Sequence, residues 1–164
     1  MDYHETFAPV AKMDSICVIL EIFASKHWEV HHMNVKSSFL HGHIHEEIYM
    51  KHPKGYISDP SLVCKLKKSL YGLKQAPREW YSKMDAFLLS QNFKRCKSDP
   101  NVYIQKSDGH FIIIILYVDE LPIIGSTVAS ISVIKTALHN AFEMSDLGLL
   151  EQFWGSKLSK ILMG

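Results

Sequence analysis

The chain has 164 residues, 47% of them apolar or aromatic, and a formal net charge of +1. That content supports a real core, and the balanced charge excludes binding to nucleic acid through bulk positive charge. Any electrostatic binding surface has to be local. Cys17, Cys64 and Cys96 are widely spaced and odd in number, without metal-ligand spacing. They read as small core residues of a reducing compartment. No cationic leader precedes an apolar segment, and no apolar run reaches about 18 residues. The expectation is a chain without a membrane span, in the cytoplasm or nucleus.

In chain order, Pro9 breaks a patternless start. A helix is expected from Asp14, capped by Asp14 or Ser15, with Ile16, Ile19, Leu20 and Phe23 at helical spacing. Trp28 to Val35 reads as a strand, Lys36 to Leu40 as a tight helical turn broken by Gly42, and Ile48–Met50 and Val63–Leu66 as short strands. Pro77 suits the first turn of a helix whose apolar face is Trp80, Tyr81, Met84, Phe87 and Leu88. Lys94 to Cys96 is expected as a connector and Asp99-Pro100-Asn101 as a turn. Val102-Tyr103-Ile104 is expected to pair with the 111–118 run across Ser107-Asp108-Gly109.

The run Phe111 to Val118 leads into Asp119-Glu120 and a second apolar run to Gly125. This reads as a hairpin of two buried strands about an acidic connection. Ser126 or Thr127 caps a following helix with Val128, Ile131, Ile134, Leu138 and Phe142 on one face; Asp146-Leu147-Gly148 reads as a turn before a strand near Phe153. Mixed helices and antiparallel strands make the fold class α+β.

Three constellations could carry chemistry. Carboxylates at the end of apolar strands are costly without a partner, so Asp119-Glu120 is either an acidic surface turn or a divalent-cation site. The window 65–78 holds Lys65, Lys67, Lys68, Lys74 and Arg78 with no acid, interrupted by Tyr71, Gly72 and Pro77. It is either a solvated face or a phosphate-binding surface. Among the histidines, His41, His43 and His45 alternate in a way that could offer zinc ligands, but no cysteine or second cluster completes a four-ligand site. Solvated loop histidines are the preferred reading.

The chain resembles the reverse transcriptase domain of copia-type retrotransposon polyproteins, especially those of plants. Four blocks carry the resemblance: Met33 to Gly42 (MNVKSSFLHG), Val63 to Arg78 (VCKLKKSLYGLKQAPR), Tyr117-Val118-Asp119-Glu120, and Phe142 to Gly148 (FEMSDLG). It implies a right-hand polymerase palm with part of the fingers, residues 1–164 forming one partial domain without upstream fingers strands, thumb or RNase H. It implies Mg²⁺ or Mn²⁺ as cofactor, and an RNA or DNA template-primer and deoxynucleoside triphosphates as partners.

By resemblance, Asp119 matches one metal-binding Asp and Glu120 takes the place of another, with the Val35 carbonyl as a further ligand. Asn34 stands where the family has its first metal-binding Asp. Phe39 matches an aromatic residue that rejects a ribose 2′-hydroxyl by bulk. Tyr71 and Gly72 would lie under nucleotide and template, with Lys74 and Arg78 nearby. Phe153-Trp154-Gly155 weakly resembles a primer-gripping segment. Asn34 keeps the shape of Asp without its charge, Glu120 is one methylene longer, and Pro122 is expected to distort the return strand. The expectation is a catalytically impaired fragment, with a non-catalytic nucleic-acid binder or a decayed product as alternatives.

Overall fold

The computed structural model describes residues 10–44, 46–53, 55, 56, 59, 61–107, 109–150, 152, 153, 156 and 157. The chain divides into two compact units. One consists of the described residues of Ser37–Asp85; the other takes the described residues from 10 to 36 and from 86 onward. The fold is α+β, with antiparallel pairing between all of its strands.

The larger unit is built on a six-stranded sheet. Its strands are β1 (Glu29–Val35), β4 (Lys94–Arg95), β5 (Val102–Ser107), β6 (His110–Ile115), β7 (Glu120–Gly125) and β8 (Met144–Leu149), in the order β4-β5-β6-β7-β1-β8. Strand side chains alternate between faces, and that alternation separates two layers of core. Val30, Val102, Ile113, Ile115 and Ile124 share one cluster with Ala11 and with Ile16, Ile19 and Leu20 of helix α1 (Met13–Lys26). On the other face, Gly125 lets helix α3 (Val128–Ala141) come close. A Cβ there would lie 2.6 Å from Ile131 Cγ1. Met33, Ile114 and Ile123 are fully enclosed.

The smaller unit holds a short 3-10 helix, Ser38–His41, and a two-stranded sheet of β2 (Tyr49–Lys51) and β3 (Val63–Lys65). Helix α2, Ala76–Ser90, starts within this unit. Gly42 runs against α2 so closely that a Cβ would sit 2.9 Å from Glu79 Cβ. Among α2's apolar residues, Trp80, Met84 and Leu88 are buried, while Tyr81 and Phe87 are half-buried. Strands β9 (Gln152–Phe153) and β10 (Ser156–Lys157) pair with each other near the end of the chain.

Several expectations change. Lys94–Arg95 is not a connector: Lys94 pairs with Ile104 and Arg95 with Tyr103, adding an edge strand. Asp146-Leu147-Gly148 is not a turn between elements but a bulge inside β8. The pairing Met33↔Asp146 gives way to His31↔Leu149, so one extra residue is accommodated. Gly148 takes φ +77 and its N–H donates to Asp146 Oδ1 at 3.0 Å, which bends the strand without breaking it. Cys17 is exposed and Cys64 half-buried, so neither is a core residue, while half-buried Cys96 packs against the cluster of α1; all three are free thiols. Val128, in the first turn of α3, is 57% exposed and not part of the buried face. Thr127 is the cap, accepting from Ser130 N at 3.3 Å. No helix among the described residues is long and apolar enough to cross a membrane.

The start of α1 is capped from far away. Neither Asp14 nor Ser15 is the N-cap; that position is Lys12, which has no capping side chain. Asp99, fully buried in the turn before β5, accepts the Lys12 N–H at 2.8 Å and the Asn101 N–H at 3.1 Å. Burial pushes its carboxyl up, but the bonds from Lys12, Asn101 and Ser15 outweigh it and hold the group below its ordinary value.

Two outcomes are expected. Asp99→Ala should cost about 3 kcal/mol, since buried donors lose a charged acceptor, measured by urea unfolding. A depressed carboxyl contributes stability that is present above its unfolded value and lost as pH falls through its folded one. Stability should therefore hold at neutral pH and decline below about pH 4. Asp99→Ala should flatten that decline, and an equally steep acid limb in the variant would count against this role.

Candidate active site

The end of β1 and the turn between β6 and β7 bring four expected residues together: Asn34, Val35, Asp119 and Glu120. Tyr117 and Glu120 exchange both backbone bonds, Tyr117 N–H to Glu120 O at 3.0 Å and Glu120 N–H to Tyr117 O at 2.9 Å. The two-residue connection is therefore Val118-Asp119, one position earlier than the Asp119-Glu120 connection expected, and Glu120 is the first residue of β7. The shift follows from pairing: the ladder closes on Tyr117, which leaves only two residues to turn. Val118 pays for the tight turn with φ +56, a left-handed conformation that costs a β-branched residue about 1–3 kcal/mol.

Sequence-distant residues meet because β1 pairs with β7 in unbroken register from Glu29↔Gly125 to Asn34↔Glu120. Directly opposed residues share a face, so Asn34 and Glu120 are neighbours. The Val35 N–H donates to the Asp119 carbonyl at 2.8 Å, tying the end of β1 to the turn. Glu120 Oε2 is buried and has no hydrogen-bond partner. An enclosed carboxylate oxygen in that condition favours a cation or a donor brought from outside.

Do these residues fit a divalent ion? Asp119 and Glu120 supply two carboxylates, as many as Mg²⁺ usually takes when phosphates complete its shell. Asn34, opposite Glu120, adds only a neutral amide, and no group of three His, Cys, Asp or Glu side chains able to hold a metal occurs among the described residues. The donor set fits one ion shared with a phosphate and lacks the charge for a pair. The His41 ring lies 5.9 Å from the Trp80 ring and the His43 backbone pairs with that of Lys68 in an isolated β-bridge, while His45 lies outside the described residues.

Pro122 leaves the pairing of β7 with β1 intact. It faces His32 within the continuous β1 register. Its effect falls on the other side: the β6–β7 strand pairs run from Ile112↔Gly125 to Ile114↔Ile123 and resume only at Tyr117↔Glu120. Hydrogen-bonded pairs alternate along an antiparallel ladder. Counting two from Tyr117–Glu120 puts Pro122, which has no N–H, at the next hydrogen-bonding position opposite Ile115.

Phe39, Tyr71, Gly72, Lys74 and Arg78 belong to the smaller unit. Phe39 lies on the 3-10 helix, its ring 4.5 Å from that of Tyr71 at 50°. The Tyr71 hydroxyl is 3.4 Å from Ser38 Oγ, and Ser38 is fully buried. Tyr71 itself is 59% exposed, and Gly72 beside it takes φ +94. Lys67, Lys68, Lys74 and Arg78 are exposed, whereas Lys65 pairs with Glu47 and lies over the Tyr49 ring. The single-sign stretch of sequence is thus partly neutralised by an acid outside it.

Sequence reasoning missed Ser38 and Val118, whose parts depend on what they touch or how their backbone turns. It also missed a polar chain in the larger unit. Lys135 Nζ donates to both Asp146 carboxylate oxygens and to His31 Nδ1, each at 2.8 Å, and His31 Nε2 donates to Glu29 Oε2 at 2.9 Å. Burial pushes the Asp146 carboxyl up, but the Lys135 and Gly148 bonds prevail and hold it below its ordinary value.

A family described as reverse transcriptase (RNA-dependent DNA polymerase) matches residues 1–164. The chain belongs to that family, on the copia-type retrotransposon branch that its sequence blocks resemble. It is 47% identical over 161 residues to the retrovirus-related Pol polyprotein from transposon TNT 1-94 of Nicotiana tabacum, covering 96% of this chain and 12% of that protein. Similar polyproteins from transposons RE2 and RE1 of Arabidopsis thaliana are 32% and 33% identical over 166 residues, covering all of this chain and 11% of each protein. The chain thus spans about an eighth or less of the length of these curated relatives. No solved structure matches it.

Asn34→Asp should place like charges on opposed strand positions and destabilise the fold by about 0.5–1 kcal/mol in chelator. Millimolar Mg²⁺ or Mn²⁺ should reverse the loss, read as a melting-temperature shift larger than that of the natural chain. An equal metal response in both chains would count against the assignment of Asn34 to the ion-facing position.

Proposed function

We propose that this chain is the palm and part of the fingers of a copia-type reverse transcriptase, able to engage template-primer and deoxynucleotide but impaired in nucleotidyl transfer. One observation carries the reading: Asn34, a neutral side chain, stands directly opposite Glu120 beside the Val118-Asp119 turn. Asp119 and Glu120 are the residues that would hold a divalent ion, with the Val35 carbonyl as a further ligand. When bound, such an ion neutralises triphosphate charge and stabilises the reacting oxygens.

Asn34 supplies shape without charge at the third position. Losing one carboxylate's share of that stabilisation slows transfer by about 10²- to 10⁴-fold. In this reading Phe39 bears on the sugar and refuses a 2′-hydroxyl, Tyr71 and Gly72 underlie the nucleotide and template, and Lys74 and Arg78 face phosphates.

Primer extension with the purified chain in Mg²⁺ or Mn²⁺ tests the impairment. The expected result is template-dependent synthesis at least about 100-fold slower from the natural chain than from Asn34→Asp; equal rates would overturn it. The second reading, a binder without chemistry, draws on the exposure of Lys67, Lys68, Lys74 and Arg78. Affinity for single-stranded nucleic acid should fall with salt at a log–log slope of about −2 to −3. Replacing the three lysines with Gln should flatten that slope, and a flat response in the natural chain would remove the binding claim.

A further inference from the structure

We propose that Tyr71 is a positioning residue for Phe39, and that the contact between their rings sets how strictly a nucleotide carrying a 2′-hydroxyl is refused. The inference rests on the reading of Phe39 as the residue that meets the sugar.

The backbone around Phe39 is already fixed. Ser37 enters the 3-10 helix at φ +51, its carbonyl accepts the Leu40 N–H at 2.8 Å, and the Phe39 carbonyl accepts the Gly42 N–H at 3.2 Å. What remains free is the side chain, whose first torsion moves the ring by several ångströms between staggered wells. A residue that works by bulk has to hold one of those wells, since a ring that swings aside excludes nothing.

Tyr71 supplies the stop. Its ring lies 4.5 Å from Phe39 at 50°, within the range where aromatic pairs attract beyond simple area burial. Its hydroxyl lies 3.4 Å from Ser38 Oγ, on the residue preceding Phe39. Tyr71 is therefore registered against two consecutive residues of one helical turn, although 59% of its own surface is exposed. A tyrosine that only filled a core would be covered; this one holds a neighbour and leaves its outer surface open. The ring contact carries the effect, and the 3.4 Å hydroxyl contact is long enough to add little.

The test uses the full chain on a template-primer whose 3′ end is a dideoxynucleotide. It measures retention of the next complementary deoxy- or ribonucleoside triphosphate in millimolar Mg²⁺, so no bond formation is needed. The natural chain should prefer the deoxynucleotide. Phe39→Val should reduce that preference by on the order of 10- to 100-fold, the scale on which an apolar site discriminates one added group. Tyr71→Ala should reduce the preference ratio about three- to tenfold, whatever retention of either nucleotide it loses through its place under the nucleotide, and Tyr71→Phe should keep the ratio within about twofold.

Loss of preference in Phe39→Val but not in Tyr71→Ala overturns the positioning role and leaves the reading of Phe39 standing. An equal loss of both nucleotides in Tyr71→Ala, with the ratio unchanged, overturns it too, because that is what a merely structural residue gives. If Phe39→Val leaves the preference intact, or the natural chain retains both nucleotides alike or neither, the reading of Phe39 falls and this inference with it. Should Tyr71→Ala lose its cooperative thermal transition, Tyr71→Leu takes its place with the same outcomes.

Discussion

The antiparallel pairing of β1 with β7 is the constraint on which the candidate active site depends. Six consecutive residue pairs run from Glu29↔Gly125 to Asn34↔Glu120 without a slip. A slip of one residue would send every side chain of β1 to the opposite face. Val30 would leave the cluster beneath α1, and His31 would leave Lys135 on the side of α3. The same register delivers Asn34 to Glu120 and ties Val35 to the carbonyl of Asp119. Core and site are set by one choice.

That dependence explains why a neutral residue at position 34 can sit in an intact frame. Asn34 contributes to the strand as Asp would, through a backbone already satisfied on both sides by β7 and β8. Its neutrality leaves the strand pairing unchanged. The residues that hold the sheet (Met33, Ile114, Ile123) are apolar and enclosed, and they do not register a change in polar chemistry at the strand end. Loss of charge and loss of fold are separable here.

Much of the architecture was legible because it follows from spacing. Ile16, Ile19 and Leu20 mark the buried face of α1, and the Ile112–Ile115 run could only be an enclosed strand. A cap at Ser126 or Thr127 and the meeting of β5 with β6 were likewise readable, and the structure selects Thr127. The acidic turn was visible as a pair of carboxylates, but its position was off by one, because the rule that turns prefer glycine gave no warning that Val118 would take a left-handed conformation. The remote cap was invisible for a different reason. Local rules nominate Asp14 or Ser15, and nothing in a sequence window reveals that Asp99 fills the role. Asp146-Leu147-Gly148 carries the chemistry of a turn, and only its β1 partner shows that the chemistry serves a bulge.

The remote cap also has a consequence in time. Lys12 and Asp99 are separated by 87 positions. At a synthesis rate of about 5–20 residues per second, roughly 4–17 s pass between the making of α1 and the arrival of its capping carboxylate. Strand β1 waits longer still, since both its neighbours lie beyond Asp119. For that interval the amphipathic helix, and Val30, Met33 and Val35 of the strand, lack the sheet that will cover them. The earliest part of this unit to be made is among the last to be secured, which makes the nascent chain a natural client for whatever shields apolar surface near the ribosome.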